Sequence, residues 1–175
     1  MVVSLFVENV LNSVTNQVTY DSETGGRTTM PVNLNGNWRA SGALSLSGPF
    51  KNRNWLFRTY SYLQYRNQNG YTTQNKEEPM KSSVKHLTAR ERLQFTFRTR
   101  QLELSARGEV LYNNSYNNVK DMRTETFDYQ LGGDLQYYLP WGFECSSDLT
   151  YFLRTGYGYD SSGRKNLIWN CQLSK

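Results

Sequence analysis

Few residues in this chain are equipped for covalent or redox chemistry. There is one histidine, His86, and two cysteines, Cys145 and Cys171. A serine hydrolase needs a nucleophile on a sharp elbow of the G-x-S-x-G kind and a histidine within reach of it. His86 instead falls in an alternating segment beside a loop, and no such elbow occurs. The cysteines stand 26 positions apart without the paired spacing of metal ligands. Carboxylates such as Glu103 and Glu109 offer acid–base chemistry, but both keep the parity of the polar side of one strand pattern, which makes them lining residues. No catalytic, cofactor-binding or metal-binding residue is therefore assigned, and an enzyme is not expected. Residues that can touch a ligand lie in polar connections: Tyr71, Glu77, Glu78, Tyr116 and Tyr159.

The elements that carry these residues are strands. Apolar and polar residues alternate with period two, the mark of a strand with two different faces. In 87–97 one set is Leu87, Ala89, Glu91, Leu93, Phe95 and Phe97, and the other is Thr88, Arg90, Arg92, Gln94 and Thr96. In 102–112, Leu102, Leu104, Ala106, Gly108, Val110 and Tyr112 stand against Glu103, Ser105, Arg107 and Glu109. In 127–139, Phe127, Tyr129, Leu131, Leu135, Tyr137 and Leu139 stand against Asp128, Gln130, Asp134 and Gln136. The pattern predicts about eight strands, at 4–22, 27–47, 54–67, 85–98, 101–113, 123–139, 141–155 and 165–174. Glu91 is the one charge on the apolar side of these central runs. No segment has both the caps and the 3.6-residue period of a helix.

The connections come in two kinds. "GPFKNRN" (48–54), "RTRQ" (98–101) and "LPWG" (139–142) are tight, whereas 67–85, 113–125 and 156–166 are longer and polar. Alternation of short and long loops places the short ones at one end of a meander. The turn "DSETGGR" is the exception, a short turn at the long-loop end. Composition bounds the class further. Of 175 residues 14% are aromatic, 13 of them tyrosines, yet mean hydropathy is −0.73. That is too polar for a large apolar core and too aromatic for disorder. A membrane β-barrel reconciles the two, with one face of each strand toward lipid and the other toward a polar lumen. Aromatics flank the tight turns (Trp55, Phe57, Phe95, Phe97, Tyr137, Trp141, Phe143) and the opposite ends (Tyr65, Tyr112, Phe127, Tyr129, Tyr157), as interfacial girdles do. The expected class is all-β, an antiparallel up-and-down meander forming part of an outer-membrane barrel, with 1–175 a single barrel segment. The competing expectation is a soluble sandwich with its apolar face inward. The net charge of +5 is scattered, so no nucleic-acid partner is expected.

The stretches "NSVTNQVTYDSETGGRTTMPVNLNGNW", "GPFKNRNWLF" and "NLIWNCQLSK" resemble the Bacteroidetes-type outer-membrane β-barrel family, the barrels of TonB-dependent receptors and their relatives. The likeness runs over nearly the whole chain. It implies a Gram-negative outer-membrane location and a role in solute uptake. It also implies lipid, the rest of the barrel and a plug as partners, with TonB engaged through an N-terminal part. The beginning "MVVSLFVENVL" lacks a basic region and a cleavage site, and the chain stops at Lys175 without a terminal aromatic; both suggest a fragment. The alternative within the same architecture is a small eight-stranded barrel with a structural or adhesive role. Finally, an antiparallel 141–155/165–174 hairpin places Cys145 and Cys171 on neighbouring strands and the same face, nearly opposite. The expectation is two unbridged residues, since directly opposed disulfides are strained.

Overall fold

A computed structural model describes residues 1–21, 23–50, 52–72, 80–119, 121–158 and 164–175. Among these residues ten strands form two sheets. The large one has eight: β1 (Val2–Val10), β4 (Asn37–Phe50), β5 (Asn52–Thr72), β6 (Met80–Arg98), β7 (Leu102–Asn117), β8 (Met122–Tyr138), β9 (Glu144–Thr155) and β10 (Lys165–Ser174). They lie in that order and every neighbouring pair is antiparallel. The sheet is an open meander, with β1 and β10 as its edges. The second sheet is a hairpin of β2 (Ser13–Tyr20) and β3 (Arg27–Leu34).

That hairpin corrects the expected strands 4–22 and 27–47, each of which is two strands. The first breaks at Asn12 (φ 54) and the second at Gly36 (φ 92), so both leave the main sheet at the same height. Asparagines fix the break. The Asn12 amide donates to Asn35 Oδ1 (2.7 Å), and Asn69 Nδ2 donates to the Asn35 carbonyl (3.0 Å). Asn67 Nδ2 donates to the Gly36 carbonyl (2.9 Å), and the Asn69 amide donates to Asn37 Oδ1 (2.6 Å). The "NLNGNW" stretch thus satisfies backbone groups that lose their ladder partners where the chain changes sheet. The exceptional short turn is only the tip of a long excursion, and β2 leans over β5. At that tip Asp21 is held below the usual carboxylate range by hydrogen bonds, from the Thr24 hydroxyl first and then from the Glu23 and Thr24 amides.

The longer polar connections also prove shorter than their composition suggests. Pairing runs on to Thr72↔Met80 and to Asn117↔Met122, so the 113–125 connection shrinks to 118–121. Polar cross-strand partners hold these extensions: Asn114 Nδ2 donates to Glu125 Oε1 (2.7 Å), and Ser83 Oγ to Asn67 Oδ1 (2.9 Å). A backbone ladder needs no apolar alternation to continue. The last tight turn is 139–143, with β9 starting at Glu144. It carries Trp141 and Gly142 at φ 67 and 79 and closes by Leu139 N–H to the Phe143 carbonyl (2.8 Å).

After β9, Gly156 adopts φ +86, and a Cβ there would lie 1.9 Å from the Glu125 carbonyl oxygen. Gly156→Ala is expected to lower the urea midpoint. The left-handed backbone alone costs on the order of 1–2 kcal/mol, and the close approach adds to it. An unchanged midpoint would show that the turn does not hold this geometry.

Candidate functional site

Register fixes which residues share a face, because directly opposed residues on antiparallel strands lie on the same side. One row runs Val3, Leu44, Ser61, Glu91, Val110, Tyr129 and Leu153. The next runs Leu46, Thr59, Leu93, Gly108, Leu131, Tyr151 and Leu167. Leu104, Leu131, Leu135, Leu149 and Leu153 stand on one face and Arg107, Glu109, Asp134 and Asp148 on the other, as the alternation requires. Among the described residues the apolar face stays largely uncovered. Leu131 is 60% exposed and Trp169 68%, and Leu34 is the one buried apolar residue among those described. A sandwich layer is absent among the described residues. Aromatic pairs mark both ends of this face. Trp55 packs on Phe97 (4.8 Å) and Phe57 on Phe95 (5.1 Å) near the short turns, and Tyr112 packs on Phe127 (4.7 Å) and Trp38 on Tyr65 (5.2 Å) at the other end. Glu91 stands on the apolar face and accepts a hydrogen bond from the Thr59 hydroxyl (2.7 Å).

The other face is a lattice of ion pairs. Arg92 Nε donates to Glu109 (2.7 Å), and Arg90 lies 3.3 Å from the same carboxylate. Arg98 grips Glu103 with two hydrogen bonds across the 99–101 turn. Arg107 reaches sideways over Gly132 to bind both oxygens of Asp134 (2.7 and 2.6 Å) and the Thr150 hydroxyl (3.0 Å). A Cβ on Gly132 would sit 2.7 Å from the Arg107 Nε, so the glycine makes room for the crossing. That crossing has an electrostatic purpose. Asp134 and Asp148 face each other directly, and like charges so placed repel. Arg107 neutralises the first, and Asn170 Nδ2 donates to the second (3.0 Å). Arg154 and the Tyr157 hydroxyl converge on Asp128. Small hydroxyls sit beneath these long side chains, Thr96 bonded to Ser105 (2.9 Å) among them.

The sequence-level candidates scatter. His86 stands between Arg66 and Ser115 in its row; a flanking cation does not orient a general base. Tyr116 donates to Asp121 (3.1 Å) and Tyr71 faces Lys81, both at the long-loop end. Glu77, Glu78 and Tyr159 lie outside the described residues. Glu103 and Glu109 are held by arginines. Cys145 faces Leu173 and Cys171 faces Ser147, so the two cysteines share a face but are offset by two residues, and both are free thiols. Two maleimide additions per chain are expected under non-reducing conditions; one or none would reveal a bridge.

Sequence reasoning missed an imbalance along the charged face that only the register exposes. On that face β4, β5 and β6 carry Arg39, Arg58, Arg66, Arg90, Arg92 and Arg98 and no acid, whereas β8 and β9 carry Asp128, Asp134, Glu144 and Asp148 with only Arg154. Comparison with protein-family models, curated proteins and solved structures found no match.

Proposed function

We propose that this chain is a wall segment of an outer-membrane β-barrel of the TonB-dependent receptor type, a protein that admits a solute across the outer membrane. The observation that carries the reading is the uncovered apolar face, continuous over eight strands and rimmed by aromatics, backed by a face of paired charges. In water such a surface is a large liability; against lipid it is the expected outer wall, and the ion-paired face is the lumen lining. Phe127 and Tyr137 are ten positions apart on β8. At ~3.4 Å per residue and a tilt of ~40°, that spans about 26 Å, the height of a barrel's apolar band. The short turns then face the periplasm, and the β2–β3 hairpin and long connections face outward, where a solute is met. The uptake role rests on the resemblance of "NSVTNQVTYDSETGGRTTMPVNLNGNW" and "GPFKNRNWLF" to that family. In this reading β1 and β10 pair with further strands, and the chain contributes wall, loops and lining without catalytic residues.

The test is depth-resolved quenching. A variant keeping Trp169 as its sole tryptophan is folded into vesicles with acyl chains brominated at defined positions. Strong quenching from within the acyl region is expected. Fluorescence unaffected by bromine, with the protein left in the aqueous phase, would overturn the membrane reading in favour of a soluble sheet.

A further inference from the structure

We propose that the long-loop end of the charged face holds a binding site for a small soluble anion bearing a carboxylate or phosphate, with Arg66 as its main ligand and Arg39 as the second. The register puts Arg39 directly opposite Arg66, and Arg66 directly opposite His86. Two facing guanidiniums repel unless an anion lies between or beside them. Among the described residues only one of them is answered. Arg39 turns toward β1, where its Nε lies 2.6 Å from Glu8 and its guanidinium sits 4.9 Å over the Phe6 ring. Among the described residues the ion pairs of β4–β6 on this face are Arg39–Glu8, Arg90–Glu109, Arg92–Glu109 and Arg98–Glu103, which leaves Arg58 and Arg66 without one.

Arg66 differs from Arg58 in its surroundings. A hollow of about 290 Å³ opens over it, lined by Glu8, Val10, Asn37, Arg39, Arg66 and Gln68 among others. That volume suits a small solute group. The guanidinium of Arg66 offers a planar fork matched to a carboxylate or phosphate, and the Gln68 amide stands two positions along the same face. The wider composition agrees, since β4–β6 carry six arginines and no acid on this face, and an excess of cations draws anions. The site deepens the proposed function and rests on it for orientation, since the wall reading places the hollow at the outer mouth of the lumen.

The experiment is calorimetric titration of the full chain, folded in non-ionic detergent at low salt, with inorganic phosphate and with citrate. Saturable binding of at least one is expected, weakened tenfold or more in Arg66→Gln. It should hold within twofold in Arg58→Gln, with strand content checked by circular dichroism in each sample. No saturable binding in the parent chain, equal affinity in Arg66→Gln, or an equal loss in Arg58→Gln would overturn the site. Phosphatidylglycerol displacing phosphate in an Arg66-dependent way would reassign it to a lipid headgroup and overturn the solute. Bromine quenching is independent of all these outcomes. Arg66-dependent binding without quenching would leave the anion site standing and remove only its place at a barrel mouth.

Discussion

Leu131→Arg is expected to lower the stability of the chain in lipid vesicles by ~2–4 kcal/mol, the cost of an arginine near the midplane of a barrel's lipid face. Leu131 lies four positions from Phe127 and six from Tyr137, between the two aromatic ends, beside Gly108 and Tyr151. It is 60% exposed, so a longer side chain meets no steric objection within the protein. What it meets is the surrounding medium. The matched substitution one position earlier, Gln130→Arg, places the same guanidinium opposite Glu109 on the charged face, and there a change within ~0.5 kcal/mol is expected, as for most surface substitutions. Urea titrations of folded fractions in vesicles measure both. A small loss at 131 with a large one at 130 would place lipid against the charged face and reverse the wall. Small changes at both would mean that neither face meets lipid.

The two-faced pattern was legible residue by residue, because a side-chain period of two survives errors in boundaries. The faces of Leu104, Leu135, Arg107 and Asp134 follow from parity alone. The eight strands of the main sheet were legible in number for the same reason. What parity does not carry is where backbone pairing stops. The split at Asn12 and Gly36 needs left-handed backbone at two distant points fixed by side-chain amides, and amides in sequence look like ordinary loop composition. The extensions of β5–β8 are invisible because polar strands and polar loops share residue types. The arginine pair was out of reach for a sharper reason. Symmetry about the 48–54 turn matches the observed Phe50↔Asn52 pair, whose numbers add to 102. Past an irregularity at Pro49/Phe50 the sum becomes 105, as in Pro49↔Leu56 and Arg39↔Arg66. A bulge of this kind changes every facing pair beyond it. Without it Arg39 would have been set against Leu63. The β9–β10 hairpin has no such irregularity, and all its facing pairs add to 318, as in Cys145↔Leu173.

The edges of the sheet carry the other large prediction. Isolated in detergent, the 175-residue chain is not expected to give the heat-modifiable gel band of a closed barrel. The strands β1 and β10 each pair on one side only. An unpaired backbone group costs several kcal/mol in an apolar medium, which is why open edges are not found against lipid. In water the same edges template aggregation. Direction does not forbid closure, since alternating strands leave β1 antiparallel to β10. The interior that closure would create opposes it instead. An eight-stranded barrel has an interior just wide enough to be filled by side chains. The charged face of this sheet would have to pack six arginines of β4–β6 together with Tyr60, Tyr62, Phe6 and Phe152. Arg58 and Arg66, which have no carboxylate partner among the described residues, cannot be desolvated there except at a cost of several kcal/mol each. A wider barrel, completed by further strands, keeps them in water. Electrophoresis of unheated and boiled samples decides between these. Identical mobility is the expected result, the chain folding in detergent or lipid through edges shared between copies. A compact band that shifts on heating would mean that β1 and β10 meet, and would make this a self-contained barrel in place of a segment of a larger one.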